Sequence, residues 1–234
     1  MSTEIGSACG VQTNGTLVCW GVNAANPYAT LPTGTFTSVG ASGYHACAVK
    51  TDKTVACWGY SEYGDTTPPS GTFVSVTAGS EHSCGIKTDS TVACWGAGLP
   101  GGSGYYDNGQ STPPSGTFTS LSGGGMHTCG LKTDGTIACW GASMGATPPT
   151  GTFISVGVGM NHACGVKTDG TVVCWGNSTL GAATTPPDGT FLSVSAGQDY
   201  TCGVKSDGTI ACWGAANTYG QSTPPNGGNP GAAP

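Results

Sequence analysis

The chain has 234 residues, with six lysines, no arginine and twelve acids, for a net charge of −6. Nucleic-acid binding needs clustered cations to displace counterions from phosphates, and six lysines spread along an acidic chain do not supply them. No apolar run approaches the roughly 18 residues that cross a bilayer as a helix, and the start, MSTEIGSACG, carries neither the basic nor the apolar segment of a secretory leader.

Glycine and proline number 42 and 15, but they fall at periodic places, which predicts many short turns rather than a floppy chain. The first predicted hairpin, around Cys9 and Cys19, has only MSTEIGS before it. A GTFTSV segment then begins at Gly34 and leads to a second hairpin around Cys47 and Cys57. GTFxS(V/L) segments at Gly71, Gly116, Gly151 and Gly189 follow. They lead in turn to hairpins around Cys84 and Cys94, Cys129 and Cys139, Cys164 and Cys174, and Cys202 and Cys212. Each second cysteine is followed by Trp-Gly, so that Trp20, Trp58, Trp95, Trp140, Trp175 and Trp213 are all the tryptophans there are, in steps of 38, 37, 45, 35 and 38 residues. The chain is therefore six copies of one unit. β-Branched residues, alternation and regular Gly/Pro punctuation predict four short strands per copy, the last a weak one near TPP.

The spacing of the cysteines selects the turn. If Thr168-Asp169-Gly170 is a three-residue loop with glycine left-handed, then Val166 faces Val172 and Cys164 faces Cys174. Opposed positions across a ladder come close enough for a disulfide. Gly15, Gly135, Gly170 and Gly208 fill the left-handed slot, but Lys53 and Ser90 fill it in two copies, where strain is expected. Structural zinc sites draw on C-x₂₋₄-C knuckles, which the chain lacks, so disulfides are favoured over metal. Each would restrict the unfolded chain by roughly 2.5–3 kcal/mol in the entropic account, and six of them imply an oxidising compartment.

The GxxHxC…DGTVxCWG frame, with TPPxGTF between copies, resembles the repeat of regulator-of-chromosome-condensation propellers. The cysteine pair makes it more similar to crinkly-type receptor ectodomains and to secreted bacterial versions, in the fold group of the type II β-lactamase inhibitor protein. The resemblance covers nearly the whole chain and implies an all-β fold. Six hairpins imply a six-bladed β-propeller with one disulfide in each blade, although such propellers commonly have seven blades. A single propeller domain is expected over residues 1–225, with a Gly/Pro-rich tail over 226–234. A sixth GTFxSV strand is missing, and how it is replaced bears on whether an open edge exists.

Candidate chemistry recurs rather than converges. His45, His82, His127 and His162 share one slot, two before the first cysteine, with Ser7 and Tyr200 in the other copies; each is expected to hold a turn in its blade. Lys50, Lys87, Lys132, Lys167 and Lys205 share another. The tryptophans are expected to pack between blades. Asp107-Asn108-Gly109 is a poor match to a calcium loop, and Asn14 and Asn177 begin glycosylation sequons, Asn177 the better acceptor. No catalytic set, metal or cofactor is expected.

The variable positions say more. Stretches after Trp-Gly differ between copies, as do the two residues before each histidine. In an antiparallel blade both connections emerge on one side, so both variable sets gather on one rim while the uniform turns gather on the other. The expected function is a non-enzymatic extracellular or cell-surface module that binds a protein partner through this rim. The binding residues would be Tyr44, Tyr60, Glu62, Tyr63, Tyr105, Tyr106, Asp107, Met126 and Tyr219. The alternatives are a structural subunit of an extracellular filament or surface assembly, self-associating through an open blade edge, and a lectin binding glycan. Nucleic-acid binding and membrane insertion are not expected.

Overall fold

A computed structural model describes residues 7–21, 30–99, 107–142, 147–177 and 186–214. Seventeen strands and no helix are found among them. β1 (Ser7–Val11) pairs with β2 (Leu17–Gly21), and five three-stranded antiparallel sheets follow in chain order. They are β3 (Phe36–Ala41), β4 (His45–Lys50) and β5 (Val55–Gly59); β6 (Phe73–Ala78), β7 (His82–Lys87) and β8 (Val92–Gly96); β9 (Phe118–Gly123), β10 (His127–Lys132) and β11 (Ile137–Gly141); β12 (Phe153–Val158), β13 (His162–Lys167) and β14 (Val172–Gly176); and β15 (Phe191–Ala196), β16 (Tyr200–Lys205) and β17 (Ile210–Gly214). The chain is thus all-β, built of six propeller blades. Two compact units divide it, residues 1–128 with 140–142 and residues 129–139 with 143–234.

The hairpin register is the one that the cysteines demand. Cys164 opposes Cys174 and Val166 opposes Val172. In the same way Cys9 opposes Cys19, Cys47 opposes Cys57, Cys84 opposes Cys94, and Cys202 opposes Cys212. Lys167 N donates to Thr171 O, and Gly170 N to Lys167 O, closing the three-residue loop. Counting back from the bonded pair of Lys167 and Thr171, the alternation of the ladder puts the cysteines at a non-hydrogen-bonded pair, where side chains lie closest. All six expected disulfides are formed, with Cα atoms 4.0–4.1 Å apart. Cys9 joins Cys19, Cys47 joins Cys57, Cys84 joins Cys94, Cys129 joins Cys139, Cys164 joins Cys174, and Cys202 joins Cys212. At the left-handed slot Gly170 has φ 85°, and Lys53 and Ser90 are forced to φ 69° and 68°, the only non-glycine residues at positive φ among those described.

Three of the disulfides pack under the following blade. In the first unit, Cys47 and Val49 of β4 are covered by Phe73, Val76 and Trp95, with Cys57 packed against the same cluster. In the second, Cys129, Leu131 and Cys139 pack against Phe153, Val156 and Trp175, and Cys164 and Val166 against Phe191, Val194 and Trp213. The Phe and Trp of one blade meet edge to face, as at Phe73–Trp95 with centroids 6.1 Å apart. The glycine after the first cysteine seats the Phe ring: a Cβ on Gly85 would lie 2.7 Å from Phe73. Trp95, Trp175 and Trp213 are core and Trp58 and Trp140 are half-buried.

The expected fourth strand is not a strand in the described TPP segments. Residues 65–69 and 110–114 form turn and coil, because consecutive prolines offer no N–H to a ladder. The segment is instead pinned by other bonds: Trp95 Nε1 donates to Asp65 O at 2.7 Å, and Ser111 Oγ to Ala97 O at 2.6 Å.

Candidate functional site

Two arrangements hold the polar chemistry of the protein. The first is buried and lies between blades. His45 Nε2 hydrogen-bonds Ser83 Oγ at 2.7 Å, His82 Nε2 bonds Thr128 Oγ1 at 2.7 Å, and His162 Nε2 bonds Thr201 Oγ1 at 2.8 Å. Each of these histidines thus reaches the hydroxyl that follows the histidine slot of the next blade, where only a turn within its own blade was expected. Burial pulls the His82 imidazole down to about 3 and lowers His45 and His162 as well. Neighbouring histidines are near enough that charge on His45 or His127 further disfavours charge on His82. Among the described residues, however, no group of three possible ligands converges on one point.

His45 differs from His82 and His162 in having a buried carboxylate beside its other ring nitrogen. Asp65 Oδ2 stands 3.2 Å from Nδ1, both side chains are fully buried, and Ser61 Oγ donates to Asp65 Oδ1 at 2.5 Å. Asp65, His45 and Ser83 therefore follow the order of a carboxylate–imidazole–hydroxyl relay. Ser83 is fully buried, so no substrate reaches its oxygen, and Thr128 and Thr201 repeat the bond to histidine. The relay is a tie between blades.

The second arrangement is the rim. The residue after each Trp-Gly donates its backbone N–H to the residue before the histidine slot: Tyr60 to Tyr44 O at 3.0 Å, Ala97 to Glu81 O at 2.9 Å, Ala142 to Met126 O at 2.8 Å, and Asn177 to Asn161 O at 2.8 Å. Within each of these four blades, therefore, the two variable segments meet. The first unit holds Tyr44, Tyr60 and Tyr63 there, exposed at 44%, 45% and 37%. Tyr60 Oη donates to Glu62 Oε2 at 3.2 Å, and that carboxylate raises the tyrosine's own titration. Asp107 is exposed, while Met126 is half-buried and accepts from Asn108 Nδ2 at 3.4 Å. Tyr105, Tyr106 and Tyr219 lie outside the described residues.

Charge is divided between the two ends of the hairpins. All six lysines lie at the uniform turns with Asp52, Asp89, Asp134, Asp169, Asp207 and, next to Lys205, Asp188, so six charges cancel six. Thr54 Oγ1 and N hold the Asp52 carboxylate below its ordinary range, and the same bonds recur at four other turns. Glu62, Asp65, Glu81, Asp107 and Asp199 occupy the variable end with no lysine, and Glu4 lies outside the described residues. Glu81 is pushed up to about 7 by burial and by the nearby charges of Asp65 and Glu62.

Repeated sheets, hairpin disulfides and a division into uniform turns and variable rim define a disulfide-tied β-propeller. The repeat described as "Regulator of chromosome condensation (RCC1) repeat" matches residues 36–65, 73–99, 153–182 and 191–221. The chain belongs to the RCC1 repeat family. Its structure is similar to the ectodomain of the Physcomitrella patens receptor kinase CR4, with 28% identity and a TM-score of 0.72, over 90% of this chain and 59% of that one. It is also similar to the crinkly WD40 ectodomain of the Arabidopsis thaliana receptor kinase ACR4, with 30% identity and a TM-score of 0.69, over 89% of this chain and 76% of that one. Yeast RCC1 (Prp20), solved bound to Kap60, shares the fold at 18% identity and a TM-score of 0.62, over 80% of this chain and 57% of that one. The chain thus spans about three-fifths of the length of the CR4 ectodomain. No curated protein sequence matches it significantly.

Proposed function

We propose that the protein is an extracellular, non-catalytic binding module that recognises a protein partner through the variable rim. Tyr44, Tyr60, Glu62, Tyr63, Asp107 and Met126 form its described part, and Tyr105, Tyr106 and Tyr219 belong to the same variable stretches. The observation that supports this reading is the backbone bond from Tyr60 to Tyr44, which ties together the two variable segments of one blade at two exposed tyrosines. Exposed tyrosines supply large contact area at low entropic cost. Receptor-kinase ectodomains and an RCC1 seen in complex with another protein, among the similar structures, agree with a protein partner. An irregular rim suits one asymmetric partner better than the repeated pockets of a lectin. A photo-cross-linking residue at Tyr60 should capture one protein species from the extracellular fraction of the native source, and the same residue at Lys167 should capture none. Capture only at Lys167, or binding confined to a glycan array, defeats the proposal.

A second reading, a structural subunit that self-assembles, draws on one observation. The first sheet shows two strands among the described residues where the others show three, and an unpaired edge can template another chain. A monomeric mass at micromolar concentration removes it. We also propose a single propeller domain over residues 1–225; limited proteolysis should leave that span intact and remove residues 226–234.

A further inference from the structure

We infer that the tyrosine face of the first unit receives a cationic peptide segment, whose lysine or arginine side chains lie against Tyr44, Tyr60 and Tyr63 and reach the carboxylates of Glu62 and Glu81. The inference rests on the rim reading above and names the chemistry of the partner.

Three observations support it. The partition of charge is the first: the turn end is neutral through its six lysines and six aspartates, whereas the variable end has carboxylates and no lysine. In the first unit that end carries Glu62, Asp65, Glu81 and Asp107, so its field selects a positive partner and speeds its approach. Exposed rings are the second. Tyr44 and Tyr60 are joined through their backbones, and Tyr63 follows three residues on, which gives rings over which a guanidinium or ammonium group can lie. The third is a carboxyl group with no cation beside it. Glu81 is half-buried and its enclosed Oε2 has no hydrogen-bond partner among the described residues, so a partner's cation would meet the part of the group left open to solvent. Tyr60 Oη already fixes Glu62 Oε2, leaving its other oxygen for a second donor. Arginine and lysine bring donors and no acceptor, which is what two carboxylates beside a buried aspartate lack. An anionic segment would meet repulsion, and a neutral one would bring donors but no charge to offset the carboxylates.

The test uses the full oxidised chain and fluorescent octa-arginine, octalysine, octaglutamate and a Gly-Ser octamer. The two cationic peptides should bind and the other two should not. Tyr60→Ala, and the pair Glu62→Gln with Glu81→Gln, should each weaken octa-arginine binding at least about tenfold. The pair Asp134→Asn with Asp169→Asn removes the same charge at the uniform end and should change it less than about twofold. An equal loss from both pairs, or none from the rim pair, overturns the inference. Unfolding midpoints near wild type confirm that the variants fold. Panning a random-peptide library separates the two levels. Binders lost on Tyr60→Ala and Tyr63→Ala but without enrichment in lysine or arginine overturn the cationic inference and leave the rim standing. Binders indifferent to both tyrosines overturn the rim itself.

Discussion

His82 Nε2 lies 2.7 Å from Thr128 Oγ1, and both side chains are fully buried. The bond joins one blade to the next, and burial keeps bulk solvent from standing in for the hydroxyl. Thr128→Val keeps the shape of the side chain but leaves a buried ring nitrogen without its partner, at a cost of about 1–3 kcal/mol. Thr201→Val should behave alike through His162. Urea midpoints should fall for both, and Thr→Ser at either site should recover most of the loss.

Acid should weaken the fold before it protonates most carboxylates. The His82 imidazole, ordinarily near 6.5, is held at about 3, and His45 and His162 shift in the same direction. Between these values the three imidazoles bind more protons in the unfolded chain than in the folded one, against which the single raised carboxyl of Glu81 works in the opposite sense. Stability is therefore fully present above about pH 6.5 and is lost as pH falls toward 3. The turn aspartates, held below their ordinary range by threonine, add to the loss at the lower end. Urea midpoints measured from pH 7 to 4 should decline, and Thr128→Val should alter the slope.

The disulfides should differ in their resistance to reduction. In the four middle hairpins the first cysteine (Cys47, Cys84, Cys129 or Cys164) is fully buried, and its partner (Cys57, Cys94, Cys139 or Cys174) is half-buried. In the first and last hairpins both cysteines are half-buried, Cys9 with Cys19 and Cys202 with Cys212. A thiolate must reach sulfur to attack it, and the other sulfur leaves as a thiolate. Attack on Cys94 or Cys139 would therefore strand that charge on the buried Cys84 or Cys129, which burial disfavours. Under native conditions, mild dithiothreitol followed by alkylation and peptide mapping should label the first and last hairpins before the middle four. Full reduction, seen as alkylation of all the cysteines by intact mass, should lower the melting temperature sharply, since each closed loop restricts the unfolded chain by roughly 2.5–3 kcal/mol in the entropic account.

Register, disulfides and the strained turns could be read from the sequence because period-two pairing and a fixed ten-residue spacing leave one solution. The inter-blade ties could also have been read, though not within one repeat. Ser83, Thr128 and Thr201 each follow a repeat with histidine in its slot, while Ala46 follows the repeat that has Ser7 there. Ala163, after His127, breaks the pattern. Asp65 left no such sign. It lies in a variable stretch of uneven length, where alignment between repeats fails, and only the folded chain brings it beside His45 and Glu81. Its backbone role does not need an aspartate, because Gln110 O accepts from Trp140 Nε1 as Asp65 O accepts from Trp95 Nε1. Its side chain does need polar atoms. Asp65→Asn should therefore be tolerated better than Asp65→Leu, which would strip Ser61 of its partner and remove the polar neighbour of His45 Nδ1, and melting temperatures of the two variants rank them.

Lys53 and Ser90 stand at φ 69° and 68° where other repeats use glycine. Left-handed backbone costs a side-chain-bearing residue about 1 kcal/mol, partly offset because glycine makes the unfolded chain more flexible. Lys53→Gly and Ser90→Gly should each raise stability by a few tenths of a kcal/mol up to about 1 kcal/mol. The same change at Thr91, outside the left-handed slot, should lower it. Denaturant melts of the three variants check the sign.

Glu81 gives the cationic docking face a pH dependence of its own. Its carboxyl is raised to about 7 by burial and by the charges of Asp65 and Glu62, so it is largely protonated at pH 6 and largely ionised at pH 8. Octalysine keeps its charge over this range. Binding should therefore tighten as pH rises from 6 to 8 in the wild-type chain. Glu81→Gln should flatten the profile near its weaker, low-pH level. Glu62→Gln should weaken binding at both ends while shifting the midpoint downward, because one of the charges that raises Glu81 is gone. A wild-type profile that falls with pH, or one that Glu81→Gln leaves unchanged, would remove Glu81 from the face.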